Sequence, residues 1–65
     1  MKVSYFEDTD TLYIEFKEDS VSETKDLDEN TLLDLDSSGN IVAITLEHAS
    51  KRTDINQLTL SGIAA

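Results

Sequence analysis

Acidic and small polar residues alternate in one segment that could bind a metal ion. The run Asp34-Leu35-Asp36-Ser37-Ser38-Gly39-Asn40 has the spacing that opens an EF-hand calcium loop, where oxygen ligands alternate and a bidentate glutamate closes the site at the twelfth position. The twelfth residue counted from Asp34 is Thr45, which has no carboxylate. Because Asp, Ser, Gly and Asn are also the usual turn formers, we interpret the segment as a hairpin turn.

Two other groups of carboxylates could in principle transfer protons or hold Mg²⁺. They are Glu7-Asp8-Asp10 and Asp26-Asp28-Glu29, and both fall at predicted turns. Catalytic carboxylates need a pocket that moves their pKa values apart, whereas turns are solvated. The single histidine, His48, has no G-x-S-x-G elbow to supply a serine nucleophile. The sequence therefore predicts no enzyme, with no catalytic, metal or cofactor-binding residue.

One short segment concentrates positive charge in an otherwise acidic chain. It is Ala49-Ser50-Lys51-Arg52, where two basic side chains would lie near the end of a helical turn. These side chains could bind an anion or acids on a partner. They could equally neutralise an acid within the fold, and the candidates are Asp26, Asp28 and Asp54.

Length and composition limit how the fold is stabilised. The chain has 65 residues, no cysteine and one histidine, which predicts a single domain over residues 1–65 without disulfides or a thiolate or imidazole metal cage. A chain of this size buries only about 60% of the surface that its unfolded form exposes. Small scaffolds then commonly rely on self-association, so we expect a homodimer.

The formal charge of −9 indicates which partners to expect. Nucleic-acid binding depends on Lys and Arg that displace counterions, so nucleic acid and anionic membranes are unfavourable partners. A negative field instead accelerates encounter with a basic protein. No apolar run approaches the length of a membrane span or of a signal peptide, and we expect a cytoplasmic protein.

Apolar residues recur with period two, which is typical of half-buried strands. We predict a mainly β (β-rich α+β) domain, an antiparallel β-meander of about five strands with one short C-terminal helical turn. The third strand alternates charged residues and is interpreted as an edge strand. The predicted strands are Lys2–Phe6, Thr11–Phe16, Val21–Leu27, Thr31–Asp36 and Ile41–Glu47.

Two parts of this interpretation leave alternatives open. After the helical turn at Glu47–Arg52, residues 54–63 fit either a last strand or a helix, with the strand slightly favoured. Apolar side chains also fall on the face opposite the predicted core, where a solvated sheet should be polar. Either the C-terminal segment or a second copy of the chain would cover them. They are Phe6, Tyr13, Leu32 and Ile41.

Three blocks of sequence together resemble a family of short bacterial proteins, the domain of unknown function numbered 2283. The blocks are Asp10–Ile14, Leu32–Glu47 and Ala49–Arg52, and the resemblance covers most of the chain up to Arg52. It implies a compact β-meander with a short helical element and no established activity. Some members are similar to the antitoxin halves of toxin–antitoxin pairs. The resemblance implies no catalytic residue.

Three functional hypotheses follow from these observations. The first is an acidic protein-binding module for a basic partner, which would act as an antitoxin does by masking the partner's nucleic-acid-binding face. The second is a structural or regulatory homodimer with no other partner. The third is a small metal-dependent enzyme built on the Asp clusters, which such a short chain with solvated carboxylates disfavours.

Overall fold

The computed structural model describes residues 1–53 as one antiparallel sheet followed by a single turn of helix. The predicted β-rich fold with five strands and one short helix is confirmed. The segment 54–63, predicted as a strand or a helix, lies outside the described residues. The elements are β1 (Lys2–Phe6), β2 (Thr11–Glu15), β3 (Glu23–Asp28), β4 (Thr31–Leu35), β5 (Ile41–Leu46) and α1 (Ala49–Arg52).

The strands lie in the spatial order β1-β2-β5-β4-β3. Strands β3, β4 and β5 form a meander, and β5 then pairs with β2, so that the β1–β2 hairpin joins the sheet through its second strand. The segment 16–22 crosses from β2 to the far edge of the sheet. As predicted from its charges, β3 is an edge strand.

The strand boundaries differ from the sequence interpretation by one or two residues. The predicted strand Val21–Leu27 begins two residues later, although the Ser22 amide already donates to the Leu35 carbonyl at 2.7 Å. The register shifts between Asp26 and Asp28, which marks a bulge beside Leu27. This irregularity accounts for the weak alternation in the strand.

The core side chains share one face of the sheet, as their alternation predicts. In the register of the strands, Leu12 lies opposite Tyr5 on β1 and Leu46 on β5. Leu12 and Val42 are each only 1% exposed and are the largest fully buried side chains among the described residues. We call this side of the sheet the core face and the opposite side the second face.

The helical turn is held against the end of the sheet by its first residue. Ala49 is fully buried, and its amide donates to the Asp10 carbonyl at 2.9 Å. His48 precedes the helix in a left-handed conformation with φ of 55°, so α1 starts two residues later than the predicted Glu47. The methyl side chain of Ala49 permits close approach of the helical turn to the sheet.

Candidate functional site

The segment that imitates a calcium loop forms the β4–β5 turn. One carboxylate oxygen of Asp36, Oδ1, accepts hydrogen bonds from the amides of Ser38 and Asn40, both at 2.9 Å. Gly39 has φ of 84°, which a glycine adopts without strain. Its amide donates to the Asp36 carbonyl at 3.0 Å. The polar residues of this motif thus form hydrogen bonds within the turn itself.

Asp36 also connects the turn to the segment that crosses the sheet. Its second carboxylate oxygen, Oδ2, accepts a hydrogen bond from Lys17 Nζ, and the side chain is 8% exposed. Lys17 also lies 3.5 Å from Asp19. The Lys17 hydrogen bond and the Asn40 amide hold the pKa of Asp36 below its ordinary range. This pair fixes the point at which the chain leaves β2 for the far edge.

A second carboxylate, that of Asp10, connects the β1–β2 hairpin to α1. Asp10 Oδ1 accepts hydrogen bonds from the Tyr5 hydroxyl at 2.5 Å and from the Ser50 amide at 3.0 Å. Asp10 Oδ2 accepts a hydrogen bond from Ser50 Oγ at 2.7 Å. The two bonds from Ser50 join parts of the chain that are 40 residues apart.

The Asp10 cluster has the composition of a catalytic group but the geometry of a structural link. The hydrogen bond from Tyr5 lowers the pKa of Asp10 and raises the pKa of Tyr5, with Ser50 adding to the effect on Asp10. Both hydroxyl groups therefore donate to a carboxylate that stays ionised. A serine nucleophile needs a general base, most often an imidazole, to accept its proton, whereas the Ser50 hydroxyl donates to the ionised Asp10 and His48 is exposed.

Arg52 ties α1 to the β3–β4 turn. Its Nη1 donates to the Asn30 carbonyl at 2.8 Å, and its Nη2 donates to Thr31 Oγ1 at 2.7 Å. Nη2 also lies 3.7 Å from Asp28 Oδ2. The Asn30 amide and, more weakly, the Arg52 charge lower the pKa of Asp28. Of the two proposed internal partners within residues 1–53, Asp26 and Asp28, Asp28 is thus the one that Arg52 contacts, and Asp54 lies outside the described residues.

The acidic groups of the described residues do not converge on a common point. Within residues 1–53, no group of three His, Asp or Glu side chains is arranged to hold a metal ion. Over the same residues, no helix is long and apolar enough to cross a membrane.

The largest concentration of negative charge surrounds the outer edge of β3. Six acids and one lysine between Glu18 and Glu29 give this segment a formal charge of −5, more than half of the chain's −9. All six residues of β3 are exposed. Among the described strands β3 pairs only with β4, so the main-chain groups along its outer side have no strand partner there. We call this surface, Glu23–Asp28, the acidic edge.

The bulge adds an apolar side chain to the acidic edge. Leu27 is 62% exposed, the highest value among the large apolar side chains of the described residues, and Val21, just before the strand, is 48% exposed. Neither Glu23 nor Asp26 takes part in an ion pair formed among residues 1–53. Within the described part of the chain, the acidic edge therefore combines carboxylates outside any ion pair, main-chain groups without a strand partner and an exposed apolar side chain.

The second face carries three of the apolar residues that the alternation placed there. Tyr13 and Leu32 lie in one row across the sheet with Thr45 between them, and both are half-buried. Phe6, on the edge strand β1, is more exposed, at 52%. Ile41 is 44% exposed, but the register shifts between Asp34 and Leu35 and pairs Ile41 with Leu35 of the core face, so its predicted place on the second face does not follow from simple alternation.

Ala43 is fully buried in β5, on the same face as Tyr13. Glu15 and Asp34 flank Ala43 in the strand register. Burial raises the pKa of Tyr13, and the charges of both acids raise it further.

Sequence reasoning identified the turn, the edge strand and the basic segment but missed the Asp10 cluster. Tyr5 lies in β1, Asp10 in the following turn and Ser50 in α1. No rule of sequence spacing relates these three positions. The only local signal was the position of Asp10 at the end of a turn, where its φ is 53°.

Fold and surface together define a small antiparallel β domain. Its polar clusters form hydrogen bonds between separate segments of the chain, and its negative charge is concentrated at one edge of the sheet. The family model described as "Protein of unknown function (DUF2283)" matches residues 2–50, and the chain belongs to that family. The resemblance found in the sequence is thereby confirmed. Comparisons with curated proteins and with solved structures find no match.

Proposed function

We propose that this protein is a cytoplasmic, non-catalytic binding module that takes up a basic protein partner along its acidic edge. The observation that carries this proposal is the state of β3, in which every residue is exposed and the outer main chain has no partner among the described strands. An extended segment can add to such an edge and gain main-chain hydrogen bonds. Side chains at alternate positions then determine which segment binds.

The charges of the acidic edge favour a segment rich in Lys or Arg. Asp26 lies on the second face and Glu23 on the core face of the same strand, so a basic strand of either orientation would meet a carboxylate. Lys25 is the only base in β3. The surrounding charge of −5 would accelerate the encounter with a basic partner, and salt would reduce this acceleration by screening the charges.

An antitoxin-like role is the specific form of this function that we propose. A protein that binds nucleic acid carries a basic face, and an acidic edge that pairs with a basic strand would cover part of it. The support for this role is the charge of −9 together with the resemblance of some family members to antitoxins. The partner would then be the toxin.

The test compares two variants that change the net charge equally. Asp26→Lys alters the acidic edge, whereas Asp8→Lys alters the β1–β2 hairpin loop, and both residues are exposed. A tagged chain would be used to capture proteins from its native host at low and high salt. We expect the Asp8→Lys variant to capture the same basic protein as the unaltered chain. The Asp26→Lys variant should capture about tenfold less of it, since charge pairs at close range dominate over long-range steering.

Equal loss with both variants would contradict docking at β3, because only the net charge would then matter. Recovery of the chain alone at either salt would contradict the binding-module proposal itself.

A second candidate function is a structural or regulatory homodimer with no other partner. The observation in its favour is the exposed apolar side chain of Phe6 on the second face. A monomer in size-exclusion chromatography with light scattering would contradict it, and the capture experiment distinguishes it from the binding module, since this candidate requires that no other protein is recovered.

A further inference from the structure

The two edges of the sheet are protected to different degrees. Natural proteins place charges on edge strands to prevent pairing with another copy. The edge strand β3 carries three acids, whereas β1, at the opposite edge, carries none and has Lys2 as its only charged residue. Among the described strands β1 pairs only with β2. The β1 edge is therefore compatible with pairing to the same edge of another copy, whereas the acids of β3 oppose such pairing.

We propose that the β1 edge binds the β1 edge of a second copy, in antiparallel register about a two-fold axis at Ser4. A contact about a two-fold axis must be self-complementary. If residue i of one copy contacts residue j of the second copy, then residue j of the first copy contacts residue i of the second. In this register Ser4 faces Ser4, Val3 faces Tyr5, and Lys2 faces Phe6 of the second copy. Antiparallel strands contain both hydrogen-bonded and non-hydrogen-bonded residue pairs. The Ser4 pair can be of either kind, so an axis at Ser4 is compatible with either set of alternate residues in β1 directing its main-chain groups outward.

The side chains that meet in this register are complementary on both faces. Val3 and Tyr5 extend the row of the core face that contains Leu12 and Ile14, so the two cores become continuous. On the second face, Phe6 is 52% exposed and would receive the Lys2 side chain of the second copy. An ammonium group over an aromatic ring is a favourable contact, and the Lys2 stem covers apolar surface.

Electrostatics favour this edge over the alternatives. Pairing through β3 would bring two segments of charge −5 together. Pairing through β1 instead places the two acidic edges at opposite ends of one continuous sheet, roughly 40 Å apart at a strand spacing of about 4.8 Å. That separation is several times the screening length in physiological salt. Both acidic edges stay open, and the dimer would present two of them.

This inference does not depend on the proposed basic partner, because it concerns the chain alone. Cysteine crosslinking tests it directly, since the sequence contains no cysteine. In the proposed register the two Ser4 Cα atoms lie about 4.5–5.5 Å apart, within the range that a disulfide spans. The matched control is Thr24→Cys, in the middle of the other edge strand.

Under mild oxidation with oxidised glutathione, we expect Ser4→Cys to form a covalent dimer and Thr24→Cys to remain largely monomeric. Equal crosslinking of the two variants, or none with Ser4→Cys, would overturn the proposal. Sedimentation equilibrium of the unaltered chain is the second measurement, and a monomer at millimolar concentration would overturn it independently of any variant.

Discussion

Truncation of Leu12 to alanine should remove a large part of the stability of this domain. Leu12 is 1% exposed and lies between Tyr5 and Leu46 on the core face, in the strand that joins the β1–β2 hairpin to β5. Replacing a fully buried leucine by alanine costs about 2–5 kcal/mol, as the lost transfer free energy plus the cavity left behind. A domain of 65 residues has a free energy of unfolding of roughly 3–10 kcal/mol.

We therefore expect Leu12→Ala to reduce the unfolding free energy by about 3 kcal/mol and the Tm by about 12–24 °C. Urea and thermal unfolding would be followed by circular dichroism at one fixed protein concentration, because self-association makes the Tm depend on concentration. Leu27→Ala is the matched control, since that side chain is 62% exposed, and it should cost less than about 1 kcal/mol. Equal losses for the two variants would refute the assignment of Leu12 to the core.

Three further predictions follow from the turn and the acidic groups. Gly39→Val should lower the Tm in thermal melting, because φ of 84° strains a β-branched residue; an unchanged Tm would contradict this turn geometry. Because Lys17 and the turn amides lower the pKa of Asp36, its stabilising effect is present above the ordinary value of 3.8 and is lost as the pH falls through the lowered pKa. Stability measured against pH should fall less steeply there in Asp36→Asn than in the unaltered chain, and identical slopes would contradict the linkage. Millimolar Ca²⁺ should leave the Tm unchanged, since Asp36 is engaged by its own turn; a clear rise would indicate a metal site.

Alternation in the sequence was sufficient to predict the strands and the faces of their side chains. Leu12, Val42 and Leu46 share the core face because every second residue of a strand points to the same side. The edge position of β3 could be predicted because a strand with charges on both faces cannot be buried on either.

The neighbours of each strand could not be predicted in the same way. A period of two fixes which side chains share a face but not which strand lies next to which, so the pairing of β2 with β5 required the structure. The contact of Asp10 with Ser50 spans 40 residues, and it forms only because that pairing brings the hairpin loop beside α1. Contacts of this kind have no local signature.

The two proposals assign different roles to the two sheet edges. The β1 edge would bind a second copy, and the acidic edge would bind a basic segment of another protein. A dimer joined at β1 would offer two acidic edges to a partner with repeated basic segments, and linked binding events raise the overall affinity without new contacts.

Titration of the ¹⁵N-labelled chain with a capped peptide of alternating Lys and Val tests whether β3 binds a basic strand. We expect chemical-shift changes and slowed amide exchange concentrated in Glu23–Asp28, lost at about 0.5 M salt and strongly reduced in Asp26→Lys. Changes spread evenly over all acidic segments, or centred on β1, would contradict the acidic edge as the binding surface.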